Sequence, residues 1–85
     1  MPHKSHEQVG REIADAGQQV KVGGVYAHYK NRDNHYKVIG FGIQEATDKI
    51  CVIYQGFDNK LLFVRDLDDW LSKPSSDVER FTLVK

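Results

Sequence analysis

The sequence predicts a mainly β domain: a small five-stranded barrel preceded by a short helix. Three observations lead there. Five apolar, β-branched and aromatic segments recur about every ten residues from Val20 onward, separated by Asn-, Asp- and Gly-rich turns, the spacing of a small sandwich or barrel. The chain of 85 residues is 40% hydrophobic and 11% aromatic, enough for one core and too short for two. The first 19 residues differ in character from the rest and carry a helical pattern. They divide the chain into an extension, 1–19, and a barrel domain, 20–85.

In the extension, Ser5 and Gln8 have the spacing of a capping box, in which the hydroxyl takes the amide three residues on. Val9, Ile13 and Ala16 follow at spacings of four and three, so they share one face of a helix over 6–16. Gly17 suits the left-handed residue that ends a helix. The apolar stripe is thin, and an isolated helix of this length is marginal in water. It must therefore dock on the body, dock on a second chain, or fray, and a homodimer through this helix is one expectation.

The strands follow in order. The first spans Val22 to Lys30, with Gly23-Gly24 marking a bend or a close backbone approach. Asn31 to Asn34 reads as a turn. The second strand runs from Tyr36 to Ile43, with Ile39, Phe41 and Ile43 on one face and Val38, Gly40 and Gly42 on the other. Ala46 to Lys49 turns the chain into the third, Ile50 to Gln55, apolar on both faces and hence central. Asp58-Asn59 is the next turn tip, before a fourth strand from Leu61 to Arg65. Asp66 to Leu71 fits one helical turn that sets Trp70 and Leu71 over an open barrel end. A loop around Pro74-Ser75-Ser76 precedes the last strand, Arg80 to Val84. Closure into a barrel would remove exposed sheet edges.

Charge and cysteine content narrow the function classes. Lys plus Arg equals Asp plus Glu, at 12 each, which disfavours nucleic-acid binding driven by bulk positive charge. The single cysteine, Cys51, forbids an internal disulfide and fits a reducing compartment. With no apolar run of about 20 residues and no secretory pattern at the start, the expected location is the cytoplasm. Cys51 lies in an apolar strand without a base beside it and reads as a small buried hydrophobe. His3, His6, His28 and His35 lack metal-site spacing, although His3 and His6 could take up a metal adventitiously. Neither a phosphate loop nor a nucleophile motif is present, and no cofactor is expected.

The segments Gly24-Val25-Tyr26-Ala27-His28-Tyr29-Lys30, Tyr36-Lys37-Val38, Glu45-Ala46-Thr47, Val52-Ile53-Tyr54-Gln55, Leu62-Phe63-Val64-Arg65 and Arg80-Phe81 occur in that order. Together they resemble the domain of unknown function 1653 family, over about three quarters of the chain. The resemblance implies an SH3-like barrel and no assigned activity. Four positions depart from the family pattern: Asn31 replaces a Gly, Gln55 an Arg, Phe63 a Trp and Asp66 a Pro. The missing arginine at 55 would weaken any anion site built on it.

The candidate ligand-binding residues are Tyr26, His28, Lys30, Tyr36, Glu45, Tyr54 and Arg65. Alternation puts Tyr26, His28 and Lys30 on one face, where they either grip a ligand or pack across strands with solvated tips. Glu45 and Arg65 either pair with each other or leave Arg65 free for an anion; Arg80 has Asp68 or Asp69 as possible partners. Tyr54 and Phe81 suit the core. These features predict a module for a small ligand or a protein partner. The alternative is a nucleic-acid accessory domain using Lys30, Arg32, Lys37 and nearby tyrosines for stacking and local charge. An enzyme would rest on acid–base work by His28 with a carboxylate such as Glu45.

Overall fold

The computed structural model describes residues 5–85. The order is α1 (His6–Gln19), β1 (Val25–His28), β2 (Asn31–Gln44), β3 (Lys49–Gly56), β4 (Leu62–Asp66), α2 (Leu67–Leu71) and β5 (Phe81–Leu83). All five strands form one antiparallel sheet in the order β4-β3-β2-β1-β5. The mainly β class and the strand count match the sequence reading.

Barrel closure by hydrogen bonding does not occur among the described residues: β4 and β5 are the two edges of the sheet and do not pair. The sheet instead curls strongly. In a flat sheet β3 and β5 would lie about 14 Å apart, three strand spacings. Yet the rings of Tyr54 on β3 and Phe81 on β5 are 5.6 Å apart, centroid to centroid. The curl wraps a core of Val20, Tyr26, Val38, Val52, Tyr54, Trp70 and Phe81, with Tyr36, Phe41, Phe63 and Leu67 packed on its margin.

Two differences from the sequence pattern have local causes. The turn expected at Asn31–Asn34 belongs to β2; the chain reverses earlier, at Tyr29-Lys30, and the β1–β2 register breaks between Ala27 and His28. Further along β2, the pairing with β3 skips Ile39, a bulge between Val38 and Gly40. A bulge shifts the alternation by one residue. Val38 and Phe41 therefore both reach the core, while Ile39 is 45% exposed. Gly40 and Gly42 do not share Val38's face.

Gly24 is a close-approach residue, as expected. A Cβ there would lie 2.9 Å from the Lys21 carbonyl and 3.0 Å from the Leu83 side chain, and neighbouring Gly23 has φ +83°. At the start of α1, the Gln8 amide donates to Ser5 Oγ at 3.1 Å. Gly17 does not end the helix, which runs on to Gln19 and is capped by extended Val20. Its end docks most deeply: Ala16 and Val20 are fully buried, while Val9, Glu12 and Ile13 are half-buried. None of the described helices is long and apolar enough to cross a membrane.

Candidate functional site

Curling the sheet brings alternate residues of β1, β2, β3, β4 and β5 to one concave side. There His28, Tyr36, Tyr54, Phe63, Arg65 and Phe81 surround an open cleft of about 210 Å³. Four of the seven sequence candidates, His28, Tyr36, Tyr54 and Arg65, converge in it. The walls are aromatic and hold one another in place. Tyr36 meets Tyr54, Phe63 and Phe81 edge to face at 5.5, 6.2 and 6.4 Å. Tyr54 stacks on Phe63 at 5.5 Å, and His28 sets its edge against Phe81 at 5.0 Å. Such contacts fix ring orientation beyond what burial alone provides.

Arg65 is the charged centre of the cleft. Its Nε donates to the Tyr54 hydroxyl at 3.3 Å, its Nη1 donates to Asp69 Oδ2 at 2.7 Å, and its guanidinium carbon lies 5.2 Å from the Phe81 ring centre. Burial works against the charge, but the Tyr54 and Asp69 interactions outweigh it and raise the Arg65 pKa. The carboxylate partner is thus Asp69, four residues on, and not Glu45. That spacing, one helical turn ahead of Arg65, was a legible pairing signal that the sequence reading assigned to Arg80 instead. Arg80 in fact donates to Ser72 Oγ at 3.1 Å and lies over Tyr29, its guanidinium carbon 5.4 Å from the ring centre.

His28 is held as a neutral donor. Its Nδ1 accepts the Lys30 amide at 3.2 Å, so the ring proton sits on Nε2. Burial lowers its pKa, and the positive charges of Arg65, Arg80 and Lys30 lower it further. Among the described residues, His28 Nε2, the Tyr36 hydroxyl and Arg65 Nη2 make no hydrogen bond. The cleft therefore offers three unengaged donors between aromatic walls.

The other candidates lie elsewhere. Tyr26 is a core residue: it is 6% exposed, its hydroxyl accepts the Lys21 amide at 2.9 Å, and its ring meets Trp70. Lys30 is in the β1–β2 turn, its ammonium 5.9 Å from the Tyr29 ring centre. Glu45 is on the exposed turn after β2, at the opposite end of that 14-residue strand from His28. No His28–Glu45 acid–base pair forms. Position 55 lies on the convex side, where Gln55 Nε2 donates to the Lys60 carbonyl at 2.9 Å; an arginine missing there is not missing from the cleft. Cys51 is 3% exposed, and burial, with Asp66 beside it, raises its pKa and keeps the thiol protonated. His3 lies outside the described residues, and no three described His, Cys, Asp or Glu side chains cluster as metal ligands.

The sequence reading missed Phe63 and Phe81 as cleft walls. Phe81 was assigned to the core, which it also serves, at 6% exposure.

Fold and cleft together define a small mainly β domain whose single curled sheet carries one aromatic-walled, arginine-centred cleft. The sequence pattern described as "Protein of unknown function (DUF1653)" matches residues 24–83. The chain belongs to the DUF1653 family. Its fold is similar to the crystal structure of a DUF1653 protein from Bordetella bronchiseptica, with 27% sequence identity, a TM-score of 0.65, and coverage of 79% of this chain and 90% of that one. No curated protein matches the chain.

Proposed function

We propose that this domain is a cytoplasmic binding module that works as small SH3-like barrels do, holding a ligand in the cleft on the concave side of its curled sheet. The ligand carries a carboxylate or similar acceptor-rich group on a flat, apolar body. One observation carries this reading: Arg65 Nη2, His28 Nε2 and the Tyr36 hydroxyl are unengaged donors set between aromatic rings. A charge-assisted hydrogen bond to arginine is stronger than a neutral one, and a guanidinium fork suits a carboxylate. Flat ring faces favour an aromatic or aliphatic body next to it. The aromatic walls and Arg65 are first of all structural, and the cleft uses the parts of them that packing leaves open.

Phenylacetate and its uncharged isostere phenylacetamide test this reading, in titrations followed by backbone amide NMR shifts. Phenylacetate is expected to move the signals of His28, Tyr36, Phe63 and Arg65, phenylacetamide to move them far less, and Arg65→Gln to abolish the difference. Equal responses to both compounds, or shifts scattered over the surface, would refute it.

A further inference from the structure

The outer edge of β4 combines two features that normally occur apart: unpaired backbone groups and exposed apolar side chains. The phase of the β3–β4 ladder shows which groups are unpaired. The Gly56 amide donates to the Leu61 carbonyl at 3.1 Å, in register with the pairing of Gln55 to Leu62. Antiparallel ladders alternate bonded and non-bonded pairs. Phe63 and Arg65 therefore bond to β3, while Leu62 and Val64 direct their N–H and C=O groups outward. Among the described residues no strand pairs with that edge. Leu62 and Val64 are also 62% and 66% exposed, the most exposed large hydrophobic residues described. Natural edges are usually blunted by charge, proline or a bulge; here the charges, Lys60 and Asp66, only flank the apolar pair.

The order Lys60, Leu62, Val64, Asp66 is complementary to itself when read antiparallel. Phe63 marks the centre. About a two-fold axis there, Leu62 stands opposite Val64 of a second copy and Val64 opposite its Leu62. Beyond the strand, Lys60, in the preceding turn with φ +59°, comes toward the Asp66 of that copy, whose carboxylate also has its own Lys49 at 3.8 Å. Both central pairs are of the bonded kind, two hydrogen bonds in each. The apolar cross-strand pairs favour this register, and the charges that flank them are of opposite sign. A slip of two residues, the smallest that keeps the outward groups of both strands opposite each other, would in one direction set Leu62 opposite Asp66 and lose the match.

We propose that the chain forms a two-fold homodimer by antiparallel pairing of β4 with β4, joining two sheets into one and setting the Phe63 walls of two clefts side by side. A two-fold contact of this kind uses the same patch on both copies. The pairing also distinguishes this dimer from one built on the half-buried apolar face of α1.

Sedimentation equilibrium of the full chain over a wide concentration range tests the proposal. The weight-average mass is expected to climb toward twice the chain mass. Val64→Pro removes an outward N–H that β3 does not use, a position where an edge strand tolerates proline. The variant is expected to keep the wild-type circular dichroism and to self-associate at least about tenfold more weakly, a loss equal to about 1.4 kcal/mol. If the proline unfolds the domain, Val64→Lys, which adds like charge at the contact, is read in the same way. A wild-type chain that stays monomeric to roughly millimolar concentration, and so associates by less than about 4 kcal/mol, overturns the proposal. So does a folded Val64 variant that associates as the wild type does.

Discussion

The two helices contribute in inverse proportion to their length. α1 has 14 residues and buries one of them, Ala16. α2 has five and buries Trp70, which is 3% exposed. Trp70 stacks on Phe81 with centroids 3.7 Å apart and planes 2° from parallel, and it meets Tyr26 and Tyr54 edge to face at 5.3 and 5.0 Å. Most helix stability in proteins comes from tertiary packing and not from propensity. α2 is a single turn that exists to place one indole across the curl of the sheet. α1 is a longer helix that the body holds chiefly by its last turn.

Trp70→Ala probes the packed side of this contrast and carries the largest expected effect. It removes the ring that spans β1, β3 and β5, and it should cost about 3–5 kcal/mol, a large part of the stability of a small domain. Urea denaturation measures it; a loss below about 1 kcal/mol would mean the core closes without the indole. At the other pole, Gly17→Ala reports how far the cooperative unit extends into α1. A Cβ at Gly17 meets no atom within 4 Å, so alanine gains helix propensity without a clash. Stabilisation of about 0.5–1 kcal/mol is expected. No change would place Gly17 in a turn that frays before the domain unfolds.

pH sharpens the comparison from the cleft side. The folded pKa of His28 lies below its ordinary value near 6.5, so the unfolded chain binds the proton more readily. Stability is then complete above that unfolded value and falls as pH drops through it toward the folded pKa. The urea midpoint of the wild type should decline as pH drops through about 6.5, and His28→Gln should decline less. Parallel curves for the two proteins would show that His28 titrates alike in both states. The smallest effect is expected on α1: Val9→Lys with Ile13→Lys should change stability by no more than about 0.5 kcal/mol. A larger change at high protein concentration alone would reveal that α1 docks on a second chain.

The cleft shows the same division between local and tertiary information. His28 and Tyr36 were legible because each ends or begins a strand with polar and aromatic neighbours. Tyr54 and Arg65 were legible from the family resemblance. Glu45 belongs to the same family pattern but lies on a turn remote from the others, because strand length, which the pattern does not reveal, separates it from them. Asp69 was visible in sequence at the correct spacing from Arg65. The direct passage from the strand ending at Arg65 into the helical turn at Asp66 was also legible; what only the structure shows is that the strand residue and the helix residue act as one i, i+4 pair.

By itself the sequence determined the number of strands, the cap of α1, the close approach at Gly24 and the burial of Trp70, Phe81 and Cys51. These depend on nearest neighbours: turn chemistry, short-range periodicity and side-chain polarity act within a few residues. Only the tertiary structure decided the bulge at Ile39, which reverses the faces of β2, the partner of Arg65, and the curl that brings Phe81 against Tyr54 without closing the sheet. Those depend on how strands distant in sequence share one small core, where a shift of one residue exchanges buried for exposed along a whole strand.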